Sequence, residues 1–167
     1  KINPKFIFLQ EIWLNFHQKT LFQKSFPNFN SKCSTPDMFE KIEDVLLNNG
    51  SIRCGCLIAW DTSVNPFVTE LEDVSPWFTG IKFNKDNTSV IMISAYLPTA
   101  GLDDDFVDVM AVLSEFILTN RKNEDSVIIG TDSNCSTKST KRWQSAFHQF
   151  CISQNLQKIE DSPTTST

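Results

Sequence analysis

The sequence predicts an α/β fold, with strands and helices mixed around a sheet core. The hydrophobic periodicity alternates along the chain between about 2 and about 3.6 residues, the spacings of strands and helices. Two strand-like segments are joined by the polar turn Asn84–Asn87, which is typical of an antiparallel hairpin, so a purely parallel sheet is not expected. The chain has 167 residues, 40% of them hydrophobic, which suits one domain with its own core.

Strands are predicted where short apolar runs are bounded by polar turn residues. The first apolar run begins at Phe6, almost at the start of the chain. The other predicted strands are Cys54–Trp60, Trp77–Phe83, Ser89–Tyr96, Val127–Ile129 and Leu156–Ile159.

Three helices are predicted from apolar residues that recur at helical spacing. The first begins at Pro36, with Thr35 as its cap, and ends before Gly50. The second covers Asp103–Leu118 and has three aspartates at its N-terminal end, where the helix dipole favours negative charge. Its predicted buried stripe is Phe106, Met110, Leu113 and Ile117. The third helix follows the last buried strand and carries Trp143, Phe147 and Phe150 on one side.

The charge balance limits the kind of partner that the protein can bind. Its 15 basic and 20 acidic residues give a net charge of -5, which excludes binding to nucleic acid mainly through a large positive field. Nucleic acid remains a possible substrate, because carboxylates can hold divalent metal ions that reverse the local charge. The apolar runs are far shorter than the roughly 18 residues that cross a bilayer, and no leader-like segment opens the chain. We therefore expect an intracellular protein, nuclear or cytoplasmic, that does not bind a membrane.

The five cysteines are scattered and include no C-x-x-C pair, which argues against a disulfide framework and against a zinc ribbon. A zinc site made of Cys54, Cys56 and His148 is a further alternative. Its spacing follows no tetrahedral zinc pattern, so this alternative is disfavoured.

Three short polar groups come directly after apolar strands, where open sheets place their ligands. Glu11 follows the first strand, and Tyr96, the sole tyrosine, ends another. Asp132 and Asn134 follow Val127–Ile129, and in extended backbone their side chains would point to the same side. Taken singly, each group also has a plain structural interpretation. Together they supply what phosphoryl chemistry needs, namely oxygen ligands for a hard cation, a phenol donor and a carboxylate that orients water.

In this order the segments resemble the motifs of the endonuclease/exonuclease/phosphatase superfamily, the DNase I-like proteins. That superfamily includes apurinic/apyrimidinic and retrotransposon endonucleases. The segments that carry the resemblance are Phe6–Glu11, similar to the strand ending in L-Q-E; Gly55–Ala59, similar to G-G-x-A with Cys56 in place of the second glycine; Ser94–Pro98, similar to A-Y-x-P; Val127–Asn134, similar to the strand ending in G-D-x-N; and Ser162–Thr165, similar to the P-T turn.

The resemblance implies a layered α/β sandwich, with two mixed β-sheets face to face and helices outside. It also implies roles for five residues. Glu11 would bind Mg²⁺, with Mn²⁺ as the alternative cofactor, and Tyr96 would contact the scissile phosphate. Asp132 would orient or activate the attacking water, and Asn134 would hold the phosphate or the metal shell. Thr99 stands where the family has an asparagine that contacts substrate.

The resemblance further predicts one domain over residues 1–167 that lacks the family's first strand and its C-terminal S-D-H segment. Because that segment supplies a catalytic histidine, we expect the chain alone to be weakly active or inactive. The expected function is magnesium-dependent hydrolysis of DNA phosphodiesters by a monomeric, retrotransposon-type nicking endonuclease. Two alternatives remain open: a degenerate, non-catalytic copy of the fold, and a small-molecule phosphoesterase of the same superfamily.

Overall fold

The computed structural model describes residues 4–12, 19–39, 55–98, 103–133 and 142–159. Within these ranges the chain forms seven strands, three α-helices and two short 3-10 segments, Pro36–Met38 and Thr62–Phe67. The strands are β1 (Phe6–Gln10), β2 (Phe29–Ser34), β3 (Cys56–Asp61), β4 (Val68–Glu70), β5 (Phe78–Lys85), β6 (Thr88–Tyr96) and β7 (Ser126–Asp132). The helices are α1 (Lys19–Ser25), α2 (Asp103–Asn120) and α3 (Arg142–Ser153).

The strands form two sheets. The three-stranded sheet has the order β1-β3-β2, and both of its pairs are antiparallel. The four-stranded sheet has the order β4-β5-β6-β7, and its last pair is parallel. The predicted hairpin is confirmed as the antiparallel pair β5 and β6. Parallel and antiparallel pairs are thus mixed in the four-stranded sheet, whereas the described strands of the other sheet are antiparallel throughout.

Alternation along β1 shows how the two sheets face each other. Phe6 and Phe8 point between the sheets and pack with residues of β3, β5 and β6, including Ile58, Trp60, Ile81, Val90 and Met92. Ile7 and Leu9 point the other way, onto the outer face that α1 covers through Phe22. The result is a sandwich with one apolar layer between its sheets and a second beneath α1.

Helices α2 and α3 cover the outer face of the four-stranded sheet. Their apolar sides pack on Phe78 and on Ile91, Ile93 and Ala95 of β6. The stripe predicted for the second helix is confirmed, because its four residues are all buried. The layered α/β sandwich with helices outside is therefore as predicted. None of the helices in the described parts of the chain is long and apolar enough to cross a lipid bilayer.

The strand predicted at Leu156–Ile159 is wrong, because this segment is coil that follows the end of α3. Asn155 has a φ of 54°, and its N–H donates to the Ile152 carbonyl at 3.0 Å. The Leu156 N–H donates to the Cys151 carbonyl at 2.8 Å, which completes a Schellman-type helix end. Leu156 then packs against the helices rather than entering a sheet.

The segment between β1 and β3 differs most from the prediction. β2 was missed, and only the 3-10 turn Pro36–Met38 of the first predicted helix lies in the described part of the chain. The rest of that helix, up to Gly50, lies outside the described residues. The segment Ser162–Thr165, which resembles the P-T turn, also lies outside them.

Candidate active site

The polar residues that follow three strands lie at one end of the sandwich. β6 and β7 run parallel, and their register pairs Tyr96 with Asp132. The Leu97 N–H donates to the Asp132 carbonyl at 3.1 Å and continues this pairing past the strand end. β1 belongs to the other sheet, yet the Tyr96 hydroxyl donates a long hydrogen bond of 3.4 Å to Oε1 of Glu11. The fold thus brings together three of the predicted site residues.

Glu11 reaches Tyr96 because the backbone departs from strand geometry at this residue. Gln10 points between the sheets, so strict alternation would turn Glu11 onto the outer face with Leu9. Instead Glu11 has a φ of 54°, in the left-handed region that residues other than glycine seldom adopt. The chain then rejoins the sheet, where the Ile12 N–H donates to the Gly55 carbonyl at 3.3 Å. This kink leaves the Glu11 carboxylate exposed on the same side as Tyr96.

Gln10 connects β1 to the opposite sheet. Its Nε2 donates to the Ser94 hydroxyl and to the Gly130 carbonyl, both at 3.0 Å. The Ser94 hydroxyl in turn donates to the Leu9 carbonyl at 3.0 Å. These three bonds fix the end of β1 against β6 and β7, directly before Glu11.

The two sheets approach each other closely at Gly130. A Cβ built on this glycine would lie 2.7 Å from Cβ and Cγ of Phe8, which is closer than carbon atoms pack. A residue without a side chain is therefore needed here for β1 and β7 to stand close enough for the Gln10 bonds. Asp132 follows two residues later on the same face of β7.

The Tyr96 ring is held in place by its neighbours. It is 9% exposed and stacks on Trp77, with ring centroids 6.1 Å apart and an interplanar angle of 13°. The Tyr96 N–H donates to the Trp77 carbonyl at 2.9 Å, and the Cys56 thiol donates to the same oxygen at 3.2 Å. Cys56, which stands where the family pattern has glycine, is fully buried in contact with Tyr96. The cysteine is therefore accommodated as part of the packing around the phenol.

The donor set suits a hard divalent cation that is shared with substrate and water. Glu11 and Asp132 are both exposed at this end of the sandwich and offer carboxylate oxygens. Mg²⁺ in such sites is commonly held by one or two carboxylates together with water and phosphate, without a complete protein cage. In the described ranges, no three His, Cys, Asp or Glu side chains are grouped closely enough to form such a cage. The zinc alternative gains no support, since Cys56 is buried while His148 is exposed on α3.

Two of the predicted site residues, Asn134 and Thr99, lie outside the described residues. Sequence reasoning gave no role to Gln10, Ser94 or Trp77, which the structure places around Glu11 and Tyr96. A signal for the first two was present. Both are polar residues in otherwise apolar strands, at positions that alternation turns toward the sandwich interior.

The chain is similar to known proteins in its structure and not in its sequence. No family model matches the sequence, and no curated protein matches it. Among solved structures, the endonuclease domain of TRAS1, a telomere-specific non-LTR retrotransposon, superposes with a TM-score of 0.57 at 9% identity, covering 87% of this chain and 67% of that one. TDP2 from D. rerio, complexed with a single-stranded DNA product, gives a TM-score of 0.53 at 13% identity, with coverages of 88% and 52%.

A phosphatase is equally similar. The mannosyl-6-phosphatase Bt3783 of Bacteroides thetaiotaomicron gives a TM-score of 0.54 at 14% identity and covers 87% of this chain and 56% of that one. The protein therefore has the DNase I-like fold that these structures share, and the fold implied by its motifs is confirmed. This chain spans between about half and two thirds of the length of these three structures.

Proposed function

We propose that this chain is a metal-dependent phosphodiester hydrolase domain that nicks DNA, of the retrotransposon type. The contact between the Tyr96 hydroxyl and the Glu11 carboxylate is the observation that carries the proposal, because it joins two distant motifs across two sheets. The register of Tyr96 and Asp132 adds the third motif at the same end.

Each residue has a chemical role in this proposal. Glu11 supplies a carboxylate oxygen to Mg²⁺, with Mn²⁺ as the alternative ion. When bound, the ion neutralises the phosphate and helps to activate the attacking water. Asp132 orients that water and accepts its proton, for which an exposed carboxylate at a strand end is well placed. The Tyr96 hydroxyl would exchange its long hydrogen bond to Glu11 for one to a phosphate oxygen, and packing on Trp77 keeps its ring in position.

Asn134 and Thr99 complete the proposed site. Asn134 follows Asp132 by two residues, and its amide would hold the phosphate or the metal shell. Thr99 follows Pro98 and would contact the substrate with its hydroxyl. We propose that the domain acts on DNA as a monomer, in the nucleus or the cytoplasm.

The choice of DNA as substrate draws on the comparisons. An endonuclease domain and a TDP2 structure with bound single-stranded DNA are among the structures of similar fold. The second candidate is a small-molecule phosphoesterase, which the similar fold of a mannosyl-6-phosphatase favours.

Metal binding tests the site independently of turnover. In a titration with Mg²⁺ or Mn²⁺ by calorimetry, we expect saturable binding that weakens at least about 10-fold in Glu11→Ala and in Asp132→Ala. Glu115→Ala removes an exposed carboxylate from α2 and is the matched control, which should bind as the wild type does. Absence of binding at millimolar metal would support a non-catalytic copy of the fold instead.

Turnover assays test the substrate. The chain contains no S-D-H segment, and general acid-base help is worth about 100-fold to 10,000-fold, so we expect only slow nicking of supercoiled plasmid. The residual nicking should disappear in Asp132→Ala. Fast nicking by the 167-residue chain would contradict the expected weakness. Hydrolysis of sugar phosphates with the plasmid left intact would replace the nuclease proposal by the second candidate.

A further inference from the structure

We propose that Gln10 is a positioning residue that sets the Glu11 carboxylate beside Tyr96, and hence sets the affinity of the site for its metal ion. The part that concerns metal affinity depends on the function proposed above, whereas the placement of Glu11 does not. Gln10 itself contacts neither substrate nor ion in this proposal. It acts through the backbone of the next residue.

The geometry around Gln10 supports this role. Its amide donates to two different strands of the opposite sheet, through Ser94 and the Gly130 carbonyl. Those two bonds fix both the side chain and the backbone at the last residue of β1. The change from extended to left-handed backbone occurs at the next residue, Glu11. The Gln10 side chain is therefore fixed by hydrogen bonds directly before the residue at which the backbone turns the Glu11 carboxylate toward Tyr96.

The left-handed conformation at Glu11 must be held by contacts of the neighbouring residues. A residue other than glycine is strained in this region, and the conformation persists only where its surroundings enforce it. The Ile12 N–H bond to Gly55 holds the chain on one side of Glu11, and the Gln10 bonds hold it on the other. Without Gln10, extended backbone would turn the carboxylate toward the outer face of the three-stranded sheet.

The sheets do not rely on Gln10 alone for their polar contacts. Lys32 of β2 pairs with Asp73 at 2.6 Å, and Asp73 also accepts a hydrogen bond of 2.8 Å from Thr79 of β5. This second group links the same two sheets without Gln10. Loss of Gln10 should therefore leave the sandwich folded while releasing Glu11, which separates positioning from a purely structural role.

The sole tyrosine gives a readout that needs no metal. With isotope-labelled tyrosine, the ring-carbon NMR signals belong to Tyr96 alone. The change in these signals between the wild type and Glu11→Ala measures the Glu11 contact. We expect Gln10→Leu, which removes both donors at similar volume, to reproduce most of that change. The matched control is Ser89→Ala, which removes a hydrogen bond to Asn84 at the far end of β6 and should leave the signals as in the wild type.

Metal affinity is the second readout. Groups that orient a metal ligand typically contribute about 10-fold to 100-fold to affinity, so the Kd for Mn²⁺ should rise by that factor in Gln10→Leu and stay unchanged in Ser89→Ala. Gln10→Glu tests the chemistry of the contact, because a carboxylate cannot donate to Ser94 or to the Gly130 carbonyl. It should resemble Gln10→Leu.

The outcomes separate the two proposals. Wild-type Tyr96 signals in folded Gln10→Leu would overturn the positioning role, whether or not metal binds. If the wild type binds no metal while the Tyr96 signals shift as expected, the placement of Glu11 by Gln10 stands and the hydrolase proposal fails. If circular dichroism shows that Gln10→Leu does not fold, Ser94→Ala removes one of the two acceptors and provides the same test. Unchanged Tyr96 signals in that variant would then count against the role.

Discussion

The two aspartates at the ends of β7 have opposite surroundings. Asp125, just before the strand, is buried, and its Oδ2 accepts hydrogen bonds from Lys82 Nζ at 2.6 Å and from the Lys122 N–H at 2.7 Å. Asp132, at the other end of the same strand, is exposed beside the Tyr96 and Glu11 pair. The Asp125 carboxylate is enclosed in an ion pair that stabilises the fold, whereas the Asp132 side chain is exposed to solvent.

The pKa of Asp125 reflects that difference. Burial alone would raise it, but the hydrogen bonds from the Lys122 backbone and the Lys82 ammonium outweigh burial and lower the pKa from 3.8 to about 2. The Asp125 carboxylate is therefore ionised at neutral pH and paired with Lys82. An acidic residue next to a strand therefore indicates a ligand site only when the fold leaves its side chain exposed.

The largest expected effect comes from removing the buried partner. Asp125→Ala leaves the partly buried Lys82 ammonium without its counter-ion, and we expect a loss of about 3 kcal/mol, the lower end of the range for buried pairs. Asp132→Ala, at the exposed end, should lower the free energy of unfolding by about 1 kcal/mol or less. Urea unfolding of the two variants measures the contrast. Equal losses would show that Asp132 is also a structural residue.

A smaller effect is expected from a side chain at Gly130, where the two sheets are close together. Gly130→Ala forces a methyl group against Phe8 and should destabilise the protein by about 1 to 3 kcal/mol while weakening metal binding through the Gln10 contact. Gly80→Ala is the matched control, because its Cβ would lie 2.8 Å from Phe116 on the helix side of the sheet. It should cost similar stability, measured by urea unfolding, with unchanged Kd for Mn²⁺. A weakened Kd in Gly80→Ala would mean that destabilisation alone lowers affinity.

The smallest effect concerns pH. Because the folded pKa of Asp125 is below its ordinary value, its contribution to stability is complete above about pH 4 and is lost as pH falls toward 2. Asp125→Asn should therefore lose less stability than the wild type over this range. Some slope should remain, because hydrogen bonds from the Ser63 hydroxyl and N–H, together with Lys5, also lower the pKa of Asp61 to about 2. Identical pH profiles for wild type and variant would contradict the ion-pair assignment.

The features predicted correctly from sequence are those that local pattern determines. The apolar strands β3, β5, β6 and β7 and the stripe of α2 follow from periodicity, and the order of the motifs identified the sandwich. β2 was missed because it contains Lys32 and Ser34, whose burial depends on partners far along the chain, Asp73 and the Ser75 carbonyl. The local sequence pattern does not predict a strand whose buried polar residues have partners so far along the chain.

The candidate site was predictable in its residue types but not in its geometry. The positions of Glu11, Tyr96 and Asp132 directly after strands indicated a shared edge. Alternation alone would have turned Glu11 away, and only the left-handed backbone at that residue brings it to Tyr96. That conformation depends on contacts with Gly55 and, through Gln10, with the opposite sheet, which one strand's sequence does not reveal.

Paramagnetic broadening by Mn²⁺ tests the central claim most directly, namely that one end of the sandwich holds the metal. In the isotope-labelled wild-type protein, substoichiometric Mn²⁺ should broaden the NMR signals of Glu11, Tyr96 and Asp132. Signals of Lys82 and Asp125, at the opposite end of the four-stranded sheet, should keep their width. Broadening centred on Asp125, or spread evenly over the acidic surface, would contradict a metal site formed by Glu11 and Asp132.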